Sequence, residues 1–194
     1  MSKTYRCRVK KELREVHRAR DEVHYRGLGL LDILGPRDME DVYRQTLKDM
    51  GASEESDGSL SLRVGEANVK VDPKQRTARV SVSEDKEVRT HVDREEKIFE
   101  WTESREKAQK KAEEKVDREA GGELEKKKAD HDEEVRNKLD QVEDRVREHL
   151  RRAANEAHKA ALRGKAGRMG KVTVDKEDEL GNGDRRLTLE VELT

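Results

Sequence analysis

From about residue 89 to residue 163 the chain contains no proline and a single glycine pair, Gly121-Gly122. The tract is rich in Glu, Lys, Arg and Ala, which lose little freedom in a helix, so it predicts helix. Its second half carries an apolar seam at Val135, Leu139, Val142, Val146, Leu150, Ala153, Ala157 and Ala160. Steps of three and four alternate along it, the spacing of a coiled coil. A weaker seam in the first half runs through Ile98, Trp101, Ala108, Ala112, Val116 and Ala120. Charged residues make up 46% of the chain and hydrophobic ones 31%, against about 25% and roughly 45–50% in a compact globule. Either a long helix exposes most of its surface over a thin seam, or the charged tract is disordered. Runs such as "REEK", "KKAEEK" and "EKKK" read as a solvated face.

The glycine pair decides between two helical arrangements. If the chain folds back there, facing positions sum to about 243. Trp101 then faces Val142, Ala108 faces Val135, and the two seams match. Two adjacent glycines cost roughly 2 kcal/mol in a helix interior, which favours a turn. The expectation is an antiparallel helical hairpin with arms of about 28 residues each, roughly 42 Å long. The rival is one continuous rod that dimerises along the seam. Trp101 is the one large aromatic in the tract. It either packs on Val142 or stands exposed as an anchor for a partner.

Strand patterns flank the tract. "TYRCRVK" alternates Tyr5, Cys7 and Val9 against Arg6 and Arg8, a half-buried strand. "KELREVHRARDEVHYRG" is ambiguous, because Leu13, Val16, Ala19 and Val23 recur at helical spacing yet also suit extended chain. "LGLLDIL" reads as a short buried strand. "GPRDMEDVYRQTLKDMG" reads as a helix: Pro36 opens it, Met39, Val42, Tyr43, Leu47 and Met50 form one face, and Gly51 closes it. "SLSLRVGEANVKVDPKQRTARVSV" predicts a three-stranded meander with turns at Gly65-Glu66 and Asp72-Pro73. "KVTVDKEDELGNGDRRLTLEVEL" predicts a hairpin around Gly181-Asn182-Gly183. The expected class is α+β: a small, mostly antiparallel sheet with packed helices and a long projecting coiled-coil hairpin. Residues 1–88 form the first part of the β-rich body and 89–163 the helical hairpin. Residues 164–194 form a basic joint and a strand hairpin that completes the body.

"GKAGRMGKVT", Gly164 to Thr173, resembles a phosphate loop only superficially. Five residues separate Gly164 from Gly170, and Val172 stands between Lys171 and Thr173. The segment also leaves a helix and enters a strand, the reverse of the order that aims a helix N-terminus at phosphates. The glycines read as a helix stop at Gly164 with a bent joint after it. The joint is basic, with Arg151, Arg152, Lys159, Arg163, Lys165, Arg168 and Lys171 close together and only Glu156 opposing. A cation-rich helix C-terminus follows from the helix dipole alone. The functional alternative is an RNA, DNA or acidic protein contact, although few aromatics are present for stacking. The six histidines show no metal-binding spacing. No nucleophile context or dinucleotide fingerprint occurs. These patterns predict no catalytic, cofactor-binding or metal-binding residue.

The formal net charge of −1 gives no bulk attraction to nucleic acid or anionic membrane. The lone Cys7 suits a reducing compartment. No apolar run approaches membrane-spanning length, and "MSKTYRCRVKK" lacks the apolar core of a signal peptide. A cytoplasmic protein without a membrane contact is expected.

The block "LGLLDILGPRDMEDVYRQTLKDMGA", followed by "DGSLSLRVGEANVKVDPKQRTARVSV" and closed by "RRLTLEVEL", resembles β-rich accessory proteins of bacterial ternary systems built around an AAA ATPase of the FtsH or MoxR type. The resemblance covers roughly residues 27–85 and 172–193, and the long excursion has no counterpart in it. It implies a non-catalytic partner in a complex, with no catalytic residue to carry over. The expected function is a non-enzymatic adaptor or structural subunit that binds protein partners, an AAA ATPase complex among them, through the helical hairpin. Self-association along the seam is a further expectation. The alternative is a nucleic-acid-associated protein using the basic joint at residues 151–171. The candidate contact residues are Ile98, Trp101, Val142, Arg151, Arg152, Arg163 and Arg168.

Overall fold

The computed structural model describes residues 4–99, 105–179 and 185–193. Its elements in chain order are β1 (Thr4–Arg26), α1 (Pro36–Asp49), β2 (Ser53–Glu54), β3 (Leu60–Val64), β4 (Ala67–Asp72), β5 (Thr77–Phe99), α2 (Arg105–Met169), β6 (Gly170–Glu179) and β7 (Arg185–Leu193). Five strands form one antiparallel sheet in the order β1-β5-β4-β3-β2, and β6 pairs with β7 in a second. The class is α+β, as expected. The chain divides into two compact units: residues 1–21 with 82–138, and residues 22–81 with 139–194.

In the first unit the helical stretch packs on a two-stranded ribbon. Odd-numbered residues of β1 and even-numbered residues of β5 face inward, which is the period of a pleated strand. Ala19, Val88, Thr90 and Val92 are buried, whereas Val16 is 68% exposed. Val9 and Leu13 pack against a cluster of Val92, Val116 and Ala120. Cross-strand pairs Arg8–Asp93 at 2.6 Å and Arg18–Asp85 at 3.4 Å line the outer face. Their numbers rise on one strand and fall on the other, as antiparallel pairing requires. Further ion pairs tie the helix to the ribbon along its margins: Lys11–Asp117 at 3.0 Å, Lys128–Glu15 at 2.9 Å and Lys86–Glu134 at 2.7 Å. These are half-exposed pairs worth little singly, so they set register more than stability.

In the second unit, β3, β4 and the start of β5 form the expected meander, with Leu60 opposite Val71 and Val71 opposite Ala78. Gly65 takes φ +61° in the β3–β4 turn. The helix α1 buries Met39, Tyr43 and Leu47, one residue per turn. At its end Ala52 N–H donates to Leu47 O and Gly51 N–H to Lys48 O. With Gly51 at φ +94°, this is the Schellman closure that the terminal glycine predicts.

Several expectations are corrected. The helical hairpin is absent: α2 runs through Gly121-Gly122 without a turn. A Cβ at either glycine would meet nothing within 4 Å. The seam residues Ala108, Ala112, Val116, Ala120 and Val135 are buried as predicted, but what packs on Val116 and Ala120 is Val9, Leu13 and Val92 of the ribbon, not a second helix. Ala161 is buried in place of the predicted Ala160. Residues 89–99 belong to β5 and not to a helix, because Val88, Thr90 and Val92 alternate with charged residues. The ambiguous segment after Lys10 is strand. "LGLLDIL" forms no strand, with Leu30 buried and Leu31 64% exposed. The helix does not stop at Gly164 but continues to Met169. Buried Ala161 and Ala166 anchor that last stretch, offsetting the cost of about 1 kcal/mol for each interior glycine. β6 and β7 pair in a sheet of their own and do not extend the larger one; the turn predicted at Gly181-Asn182-Gly183 lies outside the described residues.

Candidate functional site

The second unit holds most of the residues singled out as contacts. Arg163 sits on α2 and donates from Nε and Nη2 to the Asp175 carboxylate of β6, at 2.8–3.1 Å. Glu177 lies 3.8 Å from the same guanidinium. Lys159 donates to both Glu177 and Glu156. Burial works against its charge, but the two carboxylates outweigh that, and its pKa is raised. Arg168 reaches Asp38 of α1 at 2.9 Å. Arg151 pairs with Glu148 at 3.0 Å, both side chains well exposed. Arg152 is exposed, and its charge helps to lower the pKa of His149, which burial lowers first.

The basic joint is therefore largely neutralised. Glu156 is not its sole counter-charge: Asp38, Glu148, Asp175 and Glu177 join it. The signal was present in "VTVDKEDE", where Asp175 and Glu177 are two residues apart and so share one face of a strand. What the sequence did not show is that β6 turns that face onto the helix it leaves.

Val142 is only 3% exposed, and its Cγ1 would lie 3.7 Å from a Cβ placed at Gly65. It packs under the β3–β4 turn. Ile98 lies in β5, but its side chain falls outside the described residues, as does Trp101 entirely.

A second cluster, not singled out from sequence, joins the end of β1 to α2. Tyr25 donates its hydroxyl proton to Glu143 at 2.9 Å, and Arg147 lies 5.8 Å from the Tyr25 ring centre and 2.6 Å from Glu143. Burial, then the bond to Glu143, raises the Tyr25 pKa. One segment further, the Leu31 N–H donates to His158 Nε2 at 2.9 Å. Burial lowers the His158 pKa, in keeping with the neutral ring this acceptor role requires.

Among the described residues no group of three or more His, Cys, Asp or Glu is placed to hold a metal ion, and no helix is long and apolar enough to cross a membrane. What the arrangement offers is a surface of paired, exchangeable charges. A family model described as FtsH ternary system domain X5 matches residues 1–193. The chain belongs to that family. No curated protein and no solved structure matches it. Membership places the X5 domain in an FtsH ternary system, which suggests an accessory, non-catalytic role with protein partners in an AAA ATPase system. The match also covers the stretch from residue 86 to residue 171 that the resemblance read from sequence left out.

Proposed function

We propose that this X5 domain is a non-enzymatic adaptor or structural subunit of an FtsH-type assembly. The observation that carries this reading is the family match across residues 1–193. The mode of contact differs from the hairpin expected from sequence. A helical seam can recruit a second helix only while it is uncovered, and Val116 and Ala120 are already packed against the ribbon. Partner contacts therefore fall to side chains that the fold leaves accessible. Pairing of Arg163 and Arg168 with carboxylates leaves less free positive charge for phosphates, which favours protein over nucleic acid as the partner.

Co-expression of the tagged full chain with the FtsH-type ATPase of its own system tests the reading. Co-elution through size exclusion at physiological salt is the expected result. Separate elution, with nucleic acid retained on the chain instead, refutes it.

A further inference from the structure

Beside the Tyr25–Glu143–Arg147 cluster lies a groove of about 250 Å³. One wall is the end of β1 and the loop after it, Tyr25 to Gly29, and the other is α2 from Arg147 to Asn155. Leu28, Leu150 and Ala154 supply its apolar surface; Leu150 and Ala154 are buried and Leu28 is half-buried. Arg26, Arg147 and Arg151 rim it, and among the described residues no carboxylate lines it. Resting on the adaptor reading above, we propose that this groove docks a short segment of a partner protein that carries carboxylates beside an aliphatic side chain.

Charge complementarity argues for that occupant. Arg26 has no ion pair among the described residues. Among those residues Arg151 is held only by Glu148, in a pair whose side chains are 73% and 64% exposed. Such a pair contributes little and exchanges readily for a partner's carboxylate, which a guanidinium can bind bidentately. Arg147 is different: Glu143 and Tyr25 fix it in place, so it presents a preorganised edge. Two exposed leucines stand beyond the groove. Leu31, held by His158 one turn past Ala154, is 64% exposed, and Leu162, a turn further along α2, is 40% exposed. An arginine rim over an apolar groove matches a segment that carries acidic residues beside an aliphatic one. A nucleic-acid strand would leave the apolar lining unfilled, with Tyr25 the one aromatic among the described lining residues for stacking.

The full-length chain is tested for capture of the FtsH-type ATPase of its system, and for binding to an array of overlapping peptides covering that ATPase. The variants are Arg26→Glu/Arg151→Glu and Leu28→Asp, with Lys107→Glu/Lys126→Glu as a control carrying the same change in charge on α2 outside the groove. Thermal melts establish that each variant is folded. The expected result is capture by the wild type and the control, with affinity reduced about tenfold or more in both groove variants: a lost charge-assisted contact in the first, and in the second a lost apolar contact with a carboxylate set against the acidic segment, are each worth about that factor. The retained peptides should carry Asp or Glu flanking Leu, Ile or Val. Equal capture by folded groove variants overturns the groove while leaving the adaptor reading standing. No capture by the wild type overturns both. Groove-dependent retention of a single-stranded RNA oligonucleotide in place of the peptides also overturns the proposal.

Discussion

Replacing Gly121 and Gly122 together by alanine separates the continuous helix from the hairpin that the sequence favours. In the structure both glycines are helical, neither has a positive φ, and an added Cβ meets nothing within 4 Å at either site. The change therefore acts through helix propensity alone. Each substitution is worth about 0.8–1 kcal/mol, so the pair should stabilise the first unit by about 2 kcal/mol. For a chain of this size, about 2–4 °C per kcal/mol gives a rise in melting temperature of roughly 4–8 °C. A turn at this point would use glycine backbone freedom, and the same change would then destabilise. Urea unfolding followed by circular dichroism gives the sign, and spin labels at Lys110 and Glu133 give the geometry. These two residues face each other in a hairpin, but in one helix they stand about 35 Å apart at 1.5 Å per residue. A lowered midpoint together with a separation under about 20 Å refutes the continuous helix.

His131 is 1% exposed, and neither ring nitrogen has a hydrogen-bond partner among the described residues; His131→Leu should raise stability in urea by about 1 kcal/mol, and a loss of that size would mean the ring is polar-bonded after all. The buried Tyr43 hydroxyl is likewise unpartnered, so Tyr43→Phe should be neutral or stabilising in the same assay. For His149 and His158 the folded pKa lies below the ordinary value of 6.5; above that pH both states are neutral, and as pH falls through the window between 6.5 and the lowered folded value the unfolded chain alone takes up protons. Urea midpoints should therefore decline between pH 7.5 and 5.5, less steeply in His158→Leu, and an unchanged slope in that variant contradicts the role given to the Leu31–His158 bond. Replacing residues 105–138 by a flexible linker should expose Val9, Leu13, Val88 and Val92 and produce dye-binding, aggregation-prone protein, whereas a soluble, cooperatively melting product would show that the ribbon does not need its helix.

Much of the local structure is legible without coordinates. Pro36, the four-residue recurrence of Met39, Tyr43 and Leu47, and Gly51 specify α1 and both its ends, because capping and burial periodicity are local properties. Alternation and turn residues specify the β3–β4–β5 meander and the β6–β7 pair for the same reason. The buried stripe from Ala108 to Ala157 is also readable, since only an apolar seam can leave water on a tract this charged. What covers that stripe is not readable: an alanine-rich seam fits a helix or a strand ribbon equally well, and the spacing of Leu13, Val16, Ala19 and Val23 satisfies both periods until a partner surface selects one. Pairing of β1 with β5 made that selection, turning Ala19 inward and Val16 outward. It also removed any need for a second helical arm, so Gly121-Gly122 stayed inside one helix. The candidate site follows the same division. The arginines of the joint were visible, but Asp38, Asp175 and Glu177 reach them only through folding, and the groove beside Tyr25 joins residues more than 120 positions apart in sequence. Tertiary packing decided both, because charge pairing and burial depend on distance in space, which local sequence pattern does not encode.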